Sequence, residues 1–269
     1  KNNSMRCMFQ TRHLRVLQQE NTIGSCRNFP NCIFKSQIRL PEEFRHVQQY
    51  LTCDDSEEVE QSTRDQSNSN RWFKEREQRL TASNFGFVMQ RKANPSVPFL
   101  RSIFEKKNVR APALQHGKKH ETAAKEEYLK KKEGAHLHEC GLVVHKEMPF
   151  LGASPDAVVC QDGESGIIEV KCPYSARDMT IEEACKLTKF FLRQHPETKD
   201  INLNENHLHY AQVQGQLLIT GANFCDFVVY TIKDIFIQRI ELDADYVENL
   251  LKKLCTFYND YALDYLKLK

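Results

Sequence analysis

The sequence predicts an α/β (α+β) domain in which a central mixed β-sheet is flanked by helices. Three observations predict it. Apolar runs of strand length follow one another in 137-LHECGLVVH-145, 150-FLGASPDAVVC-160 and 167-IIEVKC-172, and the turn 161-QDGESG-166 joins the last two. A long helical pattern over 112–134 precedes them, with Pro112 near its start and Gly134 at its end. Two more strands, 224-FCDFVVYTI-232 and 235-IFIQRIEL-242, come only after further helical sequence around 178–193 and 205–220.

The remaining elements follow in order. Residues 1–50 are basic, with eight Lys/Arg against three Asp/Glu, and lack a strong apolar period. The acidic run 54-DDSEEVE-60 and the polar run 61-QSTRDQSNSN-70 read together as a linker with little to bury. Residues 1–68 are therefore expected to be an N-terminal appendage with its linker, and 69–269 the main domain. Within it, 71–80 reads as a helix capped by Ser69 or Asn70, and 81–90 as a second with Ser83 as its N-cap. An amphipathic helix over about 243–266 closes the chain.

The bulk composition excludes some classes. At 269 residues and 40% hydrophobic, the chain can bury a sizeable core. A net charge of +2 neither demands nor excludes a nucleic-acid partner. No apolar run is long enough to cross a bilayer, and the first 20 residues lack the apolar stretch of a secretory signal. The chain opens on Lys1 and is expected to be a piece of a longer protein. The ten cysteines (7, 26, 32, 53, 140, 160, 172, 185, 225, 255) form no C-x-x-C pair, so reduced thiols in an intracellular protein are expected, in nucleus or cytoplasm.

The chemistry concentrates on the hairpin. Residues i and i+2 of a strand share a face, so Glu169 and Lys171 point one way and Val170 the other. The hairpin brings Asp156 alongside them. Two close carboxylates repel, and a hard divalent cation relieves the repulsion. Asp156, Glu169 and the Val170 carbonyl offer oxygen ligands for Mg²⁺, with Mn²⁺ as its substitute. Such a centre is suited to phosphodiester hydrolysis, with Lys171 placed to orient water or offset phosphate charge. An E-x-K triplet alone is usually a salt-bridged strand face, and S-P-D alone a turn. Their succession across one hairpin is the stronger signal.

With its flanks, this succession resembles a known family. The blocks 151-LGASPDAVV-159 and 166-GIIEVKCP-173 are similar to the restriction-endonuclease-like PD-(D/E)XK nuclease core, more narrowly to its YqaJ and phage lambda exonuclease branch. Three further blocks resemble that branch: 72-WFKEREQRLTAS-83, 117-GKKHETAAKEEY-128 and 210-YAQVQGQL-217. The resemblance covers about residues 70 to 240. It implies metal ligands at Glu121, Asp156 and Glu169, and a catalytic lysine at Lys171. It also implies a grip on the 5′-phosphate and DNA by Arg76, Ser83, Ser154, Gln212 and Gln214. Ala157 stands where the family often has Gly, a mild backbone change that removes no reacting group. The implied activity is a Mg²⁺-dependent 5′ to 3′ exonuclease on double-stranded DNA ends, serving recombination, repair or viral DNA processing. A ring-like trimer and a single-strand annealing or recombination partner are implied by the same analogy, and no membrane. Two alternatives share the centre: an endonuclease or nickase, and a non-cleaving DNA-binding module.

Other signals have plainer readings. Trp72 is expected to pack rather than stack on a base. The basic stretch 129-LKKKEG-134 is as well explained by a solvated helix face. The pairs in 116-HGKKH-120 and 136-HLHEC-140 lack the four defined ligands of a structural zinc site. Cys172 is expected to be a small core residue, and Phe190, Phe191 and Leu192 core.

Overall fold

The structure, a computed structural model, describes residues 36–49, 55–105 and 111–269. Its centre is a five-stranded sheet in the order β10–β9–β6–β5–β2. These strands are β2 (His136–His138), β5 (Ala157–Gln161), β6 (Glu164–Lys171), β9 (Cys225–Tyr230) and β10 (Ile235–Ile240). β6 and β9 run parallel and the other neighbours antiparallel, so the sheet is mixed, as the sequence predicts. The β5–β6 hairpin turns at Asp162 and Gly163, both with positive φ (52° and 81°), the conformation an Asp-Gly turn supplies.

Each face of this sheet is covered by one helix, so β6 is buried on both faces from Ile167 to Val170. Helix α7 (Leu208–Thr220) lays Val213 and Leu217 against Ile167, Phe227 and Val229. Helix α5 (Pro112–Lys131) lays Ala124 and Tyr128 against Ile168, Val170 and Val228 on the opposite face. Residues 167, 169 and 171 thus share the α7 face.

A small sheet, β1 (Leu80–Thr81), β4 (Leu151–Ala153) and β3 (Val143–Val144), stands beside the large one. Two expected strands are therefore each divided between sheets. Residues 137–145 supply β2 and β3, and 150–160 supply β4 and β5. Pro155, which has no N–H for a ladder, marks the second crossing. Gln66 spans both breaks, its Nε2 donating to Cys140 O (2.7 Å) and Pro155 O (2.8 Å).

Of the stretch 54–70, the described residues 55–70 are not a linker. They form α1 (Ser56–Ser62), a 3-10 turn at Gln66–Asn68 and the start of α2 (Asn70–Arg76). Val59, Glu60 and Thr63 are buried. Glu60 Oε1 accepts from Gly141 N (2.9 Å) and Thr63 Oγ1 from Leu142 N (2.7 Å). The polar side chains serve backbone groups that would otherwise be unpaired, and composition alone does not reveal that use. Ile38 and Leu40 also enter the core. The described part of the expected appendage therefore packs onto the main domain; the rest lies outside the described residues.

The largest core cluster joins α3 (Ala82–Gln90), α4 (Val97–Phe104) and α8 (Ala244–Phe257) over the small sheet. The expected helix over 178–193 is only α6 (Ile181–Cys185); its tail becomes β7 (Leu192–Gln194), paired with β8 (Ile201–Leu203). Phe190, Phe191 and Leu192 are buried, as expected. A π-helical segment, Tyr258–Ala262, joins α8 to α9 (Leu263–Lys267). The six described cysteines are free thiols, and burial first of all pushes Cys172 up to about 12, far from a nucleophile. Among the described residues no helix is long and apolar enough to cross a membrane.

Candidate active site

The end of β6 carries the site. Asp156 is clipped onto that strand by two bonds: its N–H donates to Ile168 O (3.0 Å) and its Oδ2 accepts from Val170 N (2.6 Å). Glu169, 3% exposed, is held on three sides. Its Oε1 accepts from Lys171 Nζ (2.5 Å) and Gln212 Nε2 (2.7 Å), and its Oε2 from Gln216 Nε2 (2.6 Å). Lys171 Nζ also donates to Gln212 Oε1 (3.1 Å). Asp156, Glu169, Lys171 and Gln212 are thus gathered, and Val170 joins them through its N–H.

The electrostatics of this cluster are unbalanced. Burial, then the charges of Glu169 and Glu121, hold the Asp156 carboxyl well above the ordinary carboxylate range, against Lys171 and the Val170 N–H. Burial alone would lower Lys171, but Glu169 and Asp156 outweigh it and keep its ammonium raised.

Glu121 is turned aside. Its Oε1 accepts from Lys125 Nζ (2.6 Å), which also donates to Asp156 O (2.7 Å). Lys125, one turn beyond Glu121 on α5, thus ties that helix to the site; the sequence reading did not single it out. Among the described residues no three carboxylate, His or Cys side chains are gathered as an ion cage, so the predicted set of Glu121, Asp156 and Glu169 is not assembled. The donor chemistry still fits a hard divalent cation: the candidates are all oxygens, and Asp156, raised first by burial, is raised further by the charges of Glu169 and Glu121.

Three predicted phosphate contacts meet around one ring. The Arg76 guanidinium carbon lies 4.1 Å from the centroid of Trp72, and its Nη2 donates to Ser83 Oγ (3.0 Å). Trp72 Nε1 donates to Ser154 Oγ (2.9 Å). Trp72 packs against Val59, Leu142 and Val144, as expected, but it also fixes a hydroxyl beside the cluster. Ser83 is not the N-cap: Thr81 holds that position, and Ser83 Oγ lies 3.2 Å from Thr81 Oγ1 in the first turn of α3. Burial pulls the Arg76 guanidinium down to about 10, with Glu169 opposing; it stays charged at neutral pH and within electrostatic reach of the cluster.

Gln214 is not in the site. It is fully buried on the other side of α7, where its Nε2 donates to Glu241 O (3.0 Å) and its Oε1 accepts from Asp243 N (2.9 Å). At 3.6 residues per turn, positions 212 and 214 diverge while 212 and 216 align. Gln216, which the motif reading passed over, is the glutamine that shares Glu169 with Gln212. Helical periodicity applied to Gln212 would have found it.

The chain resembles known proteins in sequence and in fold. Residues 71–223 match the YqaJ-like viral recombinase domain. The fold is similar to the crystal structure of an alkaline exonuclease, LHK-Exo, from Laribacter hongkongensis. The two share 25% identity at a TM-score of 0.55, covering 74% of this chain and 96% of that one. The complex of LHK-Exo with dAMP gives 26% identity, with a TM-score of 0.55 and coverage of 74% and 96%. A SOX–DNA complex is similar in fold alone, at 13% identity and a TM-score of 0.56, covering 82% of this chain and 72% of that one. No curated protein sequence matches significantly. With more than half of its 269 residues matched, the chain belongs to the family of YqaJ-like viral recombinase domains.

Proposed function

We propose that the chain is a metal-dependent deoxyribonuclease that removes nucleotides from the 5′ ends of double-stranded DNA. The observation that carries this reading is the Asp156–Glu169–Lys171 cluster around the buried Glu169, locked by Gln212 and lying within electrostatic reach of Arg76. Its likeness to an alkaline exonuclease, one form of which was solved with dAMP, supports an exonuclease over other uses of the same centre.

Each residue has a part that follows from its chemistry. Arg76 presents a planar, permanently charged fork to a phosphate, with the Ser83 and Ser154 hydroxyls as further donors around Trp72. Gln212 and Gln216 hold the Glu169 carboxylate in one orientation, so little reorganisation accompanies reaction. Lys171 keeps its proton and offsets charge that grows on the scissile phosphate. A divalent cation such as Mg²⁺, or Mn²⁺ in its place, bound by Asp156, Glu169, the Val170 carbonyl and Glu121, would supply Lewis-acid activation and charge neutralisation. Glu121 would have to exchange its bond to Lys125 for that role. Family membership further suggests a ring-like trimer on DNA, a recombination or single-strand annealing partner, and an intracellular site of action in nucleus or cytoplasm.

The test is digestion of 5′-phosphorylated linear duplex DNA with Mg²⁺ or Mn²⁺, beside closed circular DNA. Linear duplex should be degraded and closed circles left intact; cleaved circles would favour an endonuclease. Lys171→Ala should lower the rate by about 10²–10³-fold. Equal digestion by wild type and Lys171→Ala would overturn the assignment.

A further inference from the structure

One flank of α5 carries a run of rings that the catalytic cluster does not use. Ring centroids are separated by 5.6 Å from Tyr174 to His116, 4.3 Å from His116 to His120, and 6.3 Å from His120 to Tyr230. His116 and His120 lie one turn apart on α5. Tyr174 opens the 3-10 turn Tyr174–Ala176 just after β6, and Tyr230 ends β9. The run therefore begins three residues beyond Lys171 and passes the residue next to Glu121. Tyr174 is 40% exposed. The Arg177 guanidinium lies 4.3 Å from its ring centroid and is pinned there by donation from Nη1 to Tyr174 O (2.8 Å).

A second observation points to a ligand. Gly117 lies inside α5, one turn before Glu121 and on the same side of the helix. A Cβ at Gly117 would meet nothing within 4 Å, and the backbone there is not in the left-handed region. Neither packing nor conformation asks for glycine, which destabilises a helix interior relative to alanine. The bare turn leaves room beside the rings for another chain to approach the helix backbone. Ring packing that fastens the 3-10 turn to α5 would account for the Tyr174–His116 contact, but not for the open turn at Gly117.

We propose that this flank binds unpaired nucleobases of the DNA strand next to the scissile phosphate. The bases stack along the Tyr174–His116–His120–Tyr230 run, and the strand's backbone passes over Gly117. The proposal rests on the nuclease reading above. Stacking suits an enzyme that works along any sequence, because every base offers a π-face, and Arg177 adds a flat cation to the platform.

The experiment uses a short 5′-phosphorylated single-stranded DNA carrying 2-aminopurine near its phosphate, in EDTA to prevent cleavage. Wild type should bind it and quench the fluorescence. Tyr174→Leu should relieve the quenching and weaken binding by about 10-fold, the scale of one lost base–aromatic stack. Gly117→Leu puts a side chain into the open turn; it should raise the Tm through better helix propensity yet weaken binding. Should Tyr174→Leu disturb the fold, Gly117→Leu decides. Binding and quenching by Gly117→Leu equal to wild type would overturn the proposal. If wild type digests duplex DNA while both variants bind the oligonucleotide as it does, only this inference falls. If wild type binds neither the oligonucleotide nor duplex DNA, the nuclease reading falls with it.

Discussion

Two buried carboxylate networks sit one rung apart on the same sheet, and they differ in charge balance. Asp226 on β9 pairs in register with Ile168, the neighbour of Glu169. It is fully buried and completely matched. Arg239 grips it with two bonds of 2.9 Å, from Nε to Oδ1 and from Nη2 to Oδ2, and the Tyr128 hydroxyl donates to Oδ2 (2.7 Å). Arg239 also lies 3.5 Å from the Phe224 ring centroid. One carboxylate meets one cation and each has hydrogen-bond partners, as a structural site requires. On the α7 side, Asp156 and Glu169 share Lys171, and Asp156 is held raised first by burial and then by the charges of Glu169 and Glu121. Buried charge is common to both; two carboxylates gathered around one lysine distinguish the second.

Substitutions can break that contrast. The largest expected effect is on Glu169→Gln, which keeps shape but removes charge from the unbalanced network. Digestion should fall by about 10²–10³-fold while the thermal midpoint moves less, because Asp156 remains as a counter-charge for Lys171. A collapse of stability instead would make Glu169 a structural residue. Next comes Asp226→Ala, which strands Arg239 and Tyr128. A loss of about 3 kcal/mol by urea unfolding is expected, at the low end for a broken buried pair because Arg239 partly reaches solvent, with the rate per folded molecule retained. Lost catalysis at full stability would erase the distinction.

The smallest effect concerns pH. Asp156 is raised above its ordinary 3.8, so between that value and its folded value the native state binds more protons than the unfolded state. Stability therefore falls as pH rises through this window, and the cost is fully present above the folded value. Without metal, Asp156→Asn should be more stable than wild type at pH 7, and the advantage should vanish as pH falls toward 4. Urea midpoints at several pH values measure this; an advantage independent of pH would exclude the charge as its cause.

The sequence made the hairpin legible because Asp162 and Gly163 fix the turn and the apolar alternation of β6 fixes its faces. It placed Asp156, Glu169 and Lys171 for the same reason, since strand period and short turns are local, whereas Gln212 on α7 came from the family resemblance. What it missed depended on helical period or on how separate elements approach one another. The resemblance implies Gln214, but on a helix it is Gln216, one turn from Gln212, that reaches Glu169. Glu121 was grouped with the other carboxylates, whereas Lys125, set by the approach of α5 to Asp156, holds it aside. The division of residues 137–160 between two sheets depends on Gln66, which lies inside a segment that composition marks as unstructured.

The contact of Glu60 with Gly141 carries a lesson about boundaries. A Cβ on Gly141 would lie 1.9 Å from Glu60 O, so the two backbones touch where only glycine fits. The recognisable family region begins at residue 71, past this contact. A protein trimmed to that region would leave the amides of Gly141 and Leu142 without their acceptors and bare the edge of β3. Where homology becomes detectable and where packing onto the domain begins are different places in this chain: two hydrogen bonds and one missing methyl group bind the segment just before the matched region, and Ile38 and Leu40 pack from further back still.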